Sequence, residues 1–140
     1  MTKRGVLDTS AIVLLGRLHE HHLPEEPVMT AVTLAELSVG PLVATTRKER
    51  AARQAVLQQA EADFQPLPFD ADAARAYGRV AASLRADGRK VQACSYDAMI
   101  AATAIANELP LYTVNPDDFS GIDGLDLRPI PHPDQPSSST

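Results

Sequence analysis

A chain of 140 residues, 44% hydrophobic and 22% charged, has the size and composition of one globular domain with a core of its own. Its formal net charge of −5 argues against nucleic-acid binding by bulk electrostatics, and no uncharged stretch approaches the roughly 20 residues that span a bilayer. Cys94 is the only cysteine, which rules out an intramolecular disulfide, and no apolar signal segment follows Met1-Thr2-Lys3-Arg4, so the expected compartment is cytoplasmic.

Val6-Leu7 reads as a short buried strand and Ala11 to Leu15 as a helix, which sets Asp8 at the carboxyl end of the strand. In an open parallel sheet, ligands bind outside those ends. Asp8, Thr9 or Ser10 equally suits a helix N-cap, because a short polar side chain accepts from a free backbone N–H. The loop from His19 to Pro27 holds His19, His21 and His22. Histidines are metal-ligating residues, but on a polar loop with nothing to orient them they read as solvated surface.

Val28-Met29-Thr30 reads as a second strand, and a helix opens at Thr33 with Leu34, Ala35, Leu37 and Val39 on its apolar faces. Gly40-Pro41 marks a break or kink. Arg47 to Asp63 is a long polar helix with a stripe at Ala52, Val56, Ala60 and Phe64, and its Arg47, Lys48, Arg50 and Arg53 form the densest basic cluster. After the extended connector Pro66-Leu67-Pro68-Phe69, helical spacing runs from Asp70 through Ala73, Tyr77, Val80 and Leu84 to a stop at Asp87-Gly88. That stop is flanked by Arg85, Arg89 and Lys90.

Asp97 to Glu108 is apolar nearly all round and therefore central and buried. Leu109 to Val114 leads into a strand, Asn115-Pro116-Asp117-Asp118-Phe119 turns, and Leu127 to Ile130 forms an edge strand. Residues 1–130 thus make one α/β domain with a mainly parallel sheet, since strands alternate with helices. Residues 131–140 carry too little apolar surface to fold and are expected to be a disordered tail.

Acids recur at element ends flanked by apolar residues: Asp8, Glu36, Asp97 and the pair Asp117/Asp118. Each has a structural explanation. Thr33 and Glu36 match a capping box, Ser95 could cap the central helix with Asp97 complementing its dipole, and Asp117 suits a turn beside Pro116. Parallel topology, however, gathers all of these ends along one sheet edge. Two bare carboxylates about 4 Å apart repel by roughly 4 kcal/mol at an effective dielectric near 20. Such a cluster persists if it is protonated or holds a cation, and hard oxygen donors without Cys or His favour Mg²⁺ or Mn²⁺. A carboxylate-held Mg²⁺ suits phosphodiester hydrolysis.

Four segments in order, Val6-Leu7-Asp8-Thr9-Ser10, Thr33-Leu34-Ala35-Glu36-Leu37, Asp97-Ala98-Met99-Ile100-Ala101-Ala102-Thr103-Ala104 and Leu111 to Phe119, resemble the motifs of PIN-domain ribonucleases, most closely VapC-type toxins of bacterial toxin–antitoxin pairs. The resemblance covers the chain to about Ile130. It implies a PIN-like three-layer α/β fold and a Mg²⁺- or Mn²⁺-dependent endoribonuclease that cleaves structured RNA such as tRNA or rRNA. It also implies a cognate VapB-like antitoxin and a homodimer or toxin–antitoxin hetero-oligomer.

By position, the resemblance makes Asp8 and Asp97 the principal metal ligands. Glu36 would ligate directly, through water, or orient the attacking water, and Asp118 would be the fourth acid. Asn115 would hydrogen-bond in the cleft, and Thr9 or Ser10 would position a phosphate or metal-bound water. Val114 stands where many relatives carry a basic residue, which leaves RNA contacts to Arg47, Arg50, Arg85, Arg89 or Lys90, side chains that equally suit a solvated helix face.

Two other classes compete. A phosphohydrolase of the haloacid dehalogenase type needs a second Asp where Ser10 stands, and a receiver domain needs a late lysine, yet none follows Lys90. The alternative outside enzymology is a catalytically inactive PIN-like scaffold that binds RNA or a partner protein.

Overall fold

The computed structural model describes residues 3–135. A four-stranded, all-parallel sheet in the order β2-β1-β3-β4 is built from β1 (Arg4–Leu7), β2 (Glu26–Val28), β3 (Leu111–Thr113) and β4 (Leu127–Pro129). Five helices surround it: α1 (Thr9–Val13), α2 (Ala31–Val43), α3 (Arg47–Asp63), α4 (Ala71–Ala86) and α5 (Ser95–Ala106). No helix among the described residues is long and apolar enough to cross a membrane. Of the tail expected to be disordered, residues 136–140 lie outside the described residues.

The period-two alternation of β1 sends its side chains into two cores. Val6 packs with Ile100, Ala101 and Ala104 of α5 and with Leu111 of β3. Leu7 packs on the other side with Ala11 and Ile12 of α1, Leu37 of α2 and Ala60 of α3. The result is the expected three-layer arrangement. Helix α4 lies outside α5, where Ala76, Val80 and Leu84 meet Ala98 and Ala102. Covered by the sheet on one side and by α4 on the other, α5 is largely buried from Ala98 onward, which explains its apolar body, whereas Tyr96 stands exposed in its first turn.

Helix starts follow local capping. Asp70 caps α4 through Ala73 N–H, and Thr46 caps α3 through Glu49 N–H. Three boundary expectations are corrected. Thr30, rather than Thr33, caps α2, its hydroxyl accepting the Thr33 N–H at 3.1 Å, so Thr33 and Glu36 form no capping box. Ser95 is the first helical residue of α5, whose N-cap is Cys94. Helix α2 continues past Gly40-Pro41 to Val43, which overturns the break and leaves Pro41 inside the helix, and its late carbonyls accept from α3: Arg53 Nη1 to Gly40 O at 2.9 Å and Arg50 Nε to Pro41 O at 3.3 Å.

The second strand also ends earlier than its apolar residues indicate. Pro27 sits in edge strand β2, where a missing N–H is tolerated. Thr30 makes a separate bridge to Leu67 of the extended connector.

Candidate active site

Because β1 and β3 are adjacent and parallel, the residues after Leu7 and after Thr113 emerge at the same edge. Asp8 N–H donates to Tyr112 O at 3.1 Å, and this fixes the first acid against β3. Asp8 is the N-cap of α1, its Oδ1 accepting from Ala11 N–H at 2.9 Å and from Ser10 Oγ at 2.7 Å. Its Oδ2 accepts from Thr113 Oγ1 at 2.6 Å. Capping and site membership are therefore two uses of one carboxylate. Burial pushes the Asp8 carboxyl up from its ordinary value, the three donors pull it back down, and Asp118 adds a smaller upward push.

Glu36 stands on the second turn of α2, half-buried. Thr9 Oγ1 donates to its Oε1 at 2.6 Å and accepts from, or donates to, Thr33 Oγ1 at 3.0 Å. With its proton committed to Glu36, Thr9 receives the Thr33 proton. Burial raises the Glu36 carboxyl, the Thr9 bond lowers it, and the charge of Asp8 raises it again.

Asp97, in the first turn of α5, accepts no side-chain hydrogen bond among the described residues. Its carboxyl is pushed up to about 6, first by burial and then by Asp118, Glu36 and Asp8, with Arg89 opposing. Those three acids are the same ones the motif order singles out. Asp118 lies on a 3₁₀ turn (Pro116–Phe119) that Phe119 anchors in the core. It is Asp118, and not Asp117, whose charge reaches both Asp8 and Asp97.

The remaining candidates divide. Asn115 joins the cleft through its backbone N–H, which donates to Thr113 Oγ1 at 2.9 Å. Val114 is buried in the α1–α3 core and presents nothing to a ligand. Arg89 is held in place, its Nη1 donating to Asp117 O at 3.3 Å and Ser120 O at 3.0 Å, so it braces the turn that carries Asp118. Gly121 continues the same brace: at φ +82 only glycine fits without strain, and any Cβ would strike Asp87. Arg50 is tied to Pro41 O, whereas Arg47, Arg85 and Lys90 are exposed. The rings of His19, His21 and His22 sit 4.1–5.8 Å apart, away from the acids' hydrogen-bond network.

The sequence model of the PIN domain matches residues 5–125. The chain belongs to the PIN domain family. It is 45% identical over 123 residues to the ribonuclease VapC5 of Mycobacterium tuberculosis, covering 86% of this chain and 88% of that one. Its fold matches a crystal structure of VapBC-5, a member of the VapBC family of toxin–antitoxin systems from Mycobacterium tuberculosis, with a TM-score of 0.78 at 42% identity, over 92% of this chain and 98% of that one. A DNA-bound VapBC from Salmonella typhimurium matches with a TM-score of 0.71 at 26% identity, over 91% of this chain and 97% of that one.

The donor set of this PIN domain suits a hard divalent cation. It is all oxygen, and its carboxylates raise one another's proton affinity, a repulsion that a cation relieves. Among the described residues no group of three or more His, Cys, Asp and Glu side chains converges closely enough to hold an ion unaided. One or two carboxylates with waters completing the shell is the arrangement Mg²⁺ ordinarily takes.

Sequence reasoning missed the buried hydroxyls. Thr33 and Thr113 are fully buried and hydrogen-bonded to site residues, yet in sequence Thr33 reads as a helix cap and Thr113 as an ordinary strand residue. The available signal was position: Thr113 is the last polar residue of an apolar strand and stands at the same edge as Asp8.

Proposed function

We propose that this PIN domain is a Mg²⁺- or Mn²⁺-dependent endoribonuclease, the toxin of a toxin–antitoxin pair, and that it cleaves structured RNA such as tRNA or rRNA. The observation that carries the reading is the electrostatic reach of Asp118, Glu36 and Asp8 to Asp97, whose carboxyl burial and then these three charges push up to about 6. The likeness to a ribonuclease over nearly the whole chain supports the same reading.

Asp8 and Asp97 would hold the ion, with Glu36 and Asp118 acting directly or through water. When bound, the ion would supply an activated water and stabilisation of charge on the scissile phosphate. Thr9, by donating to Glu36 Oε1, leaves the second Glu36 oxygen to accept a proton of the attacking water. Ser10 and Thr113 hold Asp8 stationary by donating to its two oxygens, and oppose the upward push that burial gives its carboxyl. The exposed Arg47, Arg85 and Lys90 are suited to backbone phosphates, each as a local contact on a chain of net negative charge.

For the partner, an apolar groove between α1, α2 and α3 reaches Glu36 of the acidic set, lined by Thr9, Val13, Glu36, Leu37, Ala52 and Val56. It continues along Ile12 and Phe64. Val13, Val39, Leu42 and Val43 stand exposed beside it, with Leu42 at 83%. Apolar surface gathered in this way marks an interaction face. An amphipathic antitoxin helix covering it would block access to Glu36. VapBC relatives, solved as toxin–antitoxin systems, support such a partner.

The test is cleavage of total cellular RNA by antitoxin-free protein in Mg²⁺, Mn²⁺ or EDTA, with new 5′ ends mapped. Discrete cuts, lost in EDTA and with Asp97→Asn, are the expected result. Folded protein that binds RNA and cuts none in either metal would instead identify a non-catalytic PIN scaffold.

A further inference from the structure

Thr113 ends β3 with its side chain fully buried, and its hydroxyl sits between two parts of the cleft. Oγ1 donates to Asp8 Oδ2 at 2.6 Å and accepts the Asn115 N–H at 2.9 Å. Simple donor accounting forces that polarity. A hydroxyl has one proton, an ionised carboxylate has none, and an amide N–H can only donate. Ser10 Oγ also lies 3.4 Å from Thr113 Oγ1, but its proton is committed to Asp8 Oδ1 at 2.7 Å.

The same accounting settles what Asp8 has left to offer. An ionised carboxylate presents about four lone pairs, two on each oxygen. Oδ1 uses both, on Ser10 and on Ala11 N–H. Oδ2 uses one, on Thr113. The carboxylate is pinned at both oxygens and cannot turn to present a second free position.

We propose that Thr113 is a positioning residue that ties the Asn115–Asp118 turn to Asp8 and leaves Asp8 one free lone pair, on Oδ2, for a divalent cation. This rests on the metal-dependent reading above. A single free position on Asp8 would suit an ion that keeps much of its water. Thr113 also couples two segments 105 residues apart in sequence, so that the turn carrying the fourth acid and the first acid share one support.

Thr113→Val keeps the β-branched shape of the strand residue and removes only the hydroxyl, whereas Thr113→Ser keeps the hydroxyl. The measurements are Mn²⁺ affinity by isothermal titration and hydrogen exchange of the Asn115 amide in metal-free protein. For Thr113→Val the Mn²⁺ Kd is expected to rise roughly 10–100-fold, as when an outer-shell partner is lost. Asn115 exchange should accelerate in parallel, with RNA affinity in EDTA unchanged. Thr113→Ser should restore both.

A folded Thr113→Val protein with wild-type Mn²⁺ affinity overturns the inference, as does a Thr113→Ser protein impaired as badly as Thr113→Val. If Thr113→Val does not fold, an unprotected Asn115 amide in the wild type overturns it, and a protected one, with Thr113→Ser binding Mn²⁺ normally, supports it. A wild-type chain that binds no Mn²⁺ removes the metal reading and this inference together, whereas wild-type binding with an unchanged Thr113→Val removes the inference alone.

Discussion

Asp8, at the tip of β1, and Asp97, in the first turn of α5, bring the same carboxylate to the same cleft, and the fold treats them in opposite ways. Asp8 is 4% exposed and accepts three hydrogen bonds, so its charge is satisfied by protein donors. Among the described residues Asp97 accepts none from a side chain and meets the charges of three other acids, with Arg89 in opposition. The strand tip is a finished structure, and the helix start is one that a cation would complete. On the proposed reading the labour is separated: one carboxylate is fixed in advance, and another would stay poorly satisfied until a cation arrives.

The largest effect tests what the two acids share. Asp8→Asn and Asp97→Asn should each reduce metal-dependent RNA cleavage by more than the roughly 100-fold that marks loss of an outer-shell partner, measured as initial rate on a mapped substrate. Comparable cleavage by either variant breaks the comparison.

Stability then separates them. Asp97→Asn removes a charge with no protein donor. Asp8→Asn also leaves the Thr113 hydroxyl or the Asn115 N–H short of an acceptor, so at pH 7 in EDTA it should be less stable than Asp97→Asn by about 1–3 kcal/mol in urea denaturation.

The pH dependence sharpens the same point. Asp97 has a folded value of about 6 against an ordinary 3.8, so between these values the native state binds more protons than the unfolded chain. Metal-free stability therefore falls as pH rises from about 4 through about 6, and the full penalty persists above. For a half-buried group, discounted for solvent screening, this amounts to about 1–2 kcal/mol. Unfolding of wild type and Asp97→Asn across that window should diverge by this amount as pH rises. Parallel curves would contradict it.

The smallest effect concerns the exposed rim. Lys90→Ala should leave stability within about 0.5 kcal/mol. It should reduce the salt dependence of RNA binding by about one phosphate contact, read from the slope of log Kd against log salt.

Much of the fold was legible in the amino-acid pattern. Helix α3 falls on Arg47–Asp63 as its periodicity indicates, and α5 is central because its body beyond Asp97 is almost wholly apolar. The four acids were legible as acids at element ends. Their mutual electrostatic reach followed from parallel topology, and the roles proposed for them rest on the resemblance to a family.

What stayed hidden is physical rather than accidental. Thr113 is a good strand former, so its composition signal is that of any strand residue; only its neighbour across β1–β3 reveals its task. Arg89 reads as a candidate RNA contact because its partners are backbone carbonyls some thirty residues on, which carry no sequence signature. The apolar residues Val39, Leu42 and Val43 fit a core equally well by sequence, and in the fold they stand open.

The most direct test of the central claim is thermal unfolding of wild type and Asp97→Asn at pH 7, first in EDTA and then in saturating Mn²⁺. The account predicts a higher Tm for Asp97→Asn in EDTA. In Mn²⁺ the order reverses, because the ion stabilises only the chain whose carboxylate can receive it, by about 2.7 kcal/mol at a hundredfold excess over Kd. A wild-type Tm unmoved by Mn²⁺, or an Asp97→Asn protein that gains as much, would contradict it.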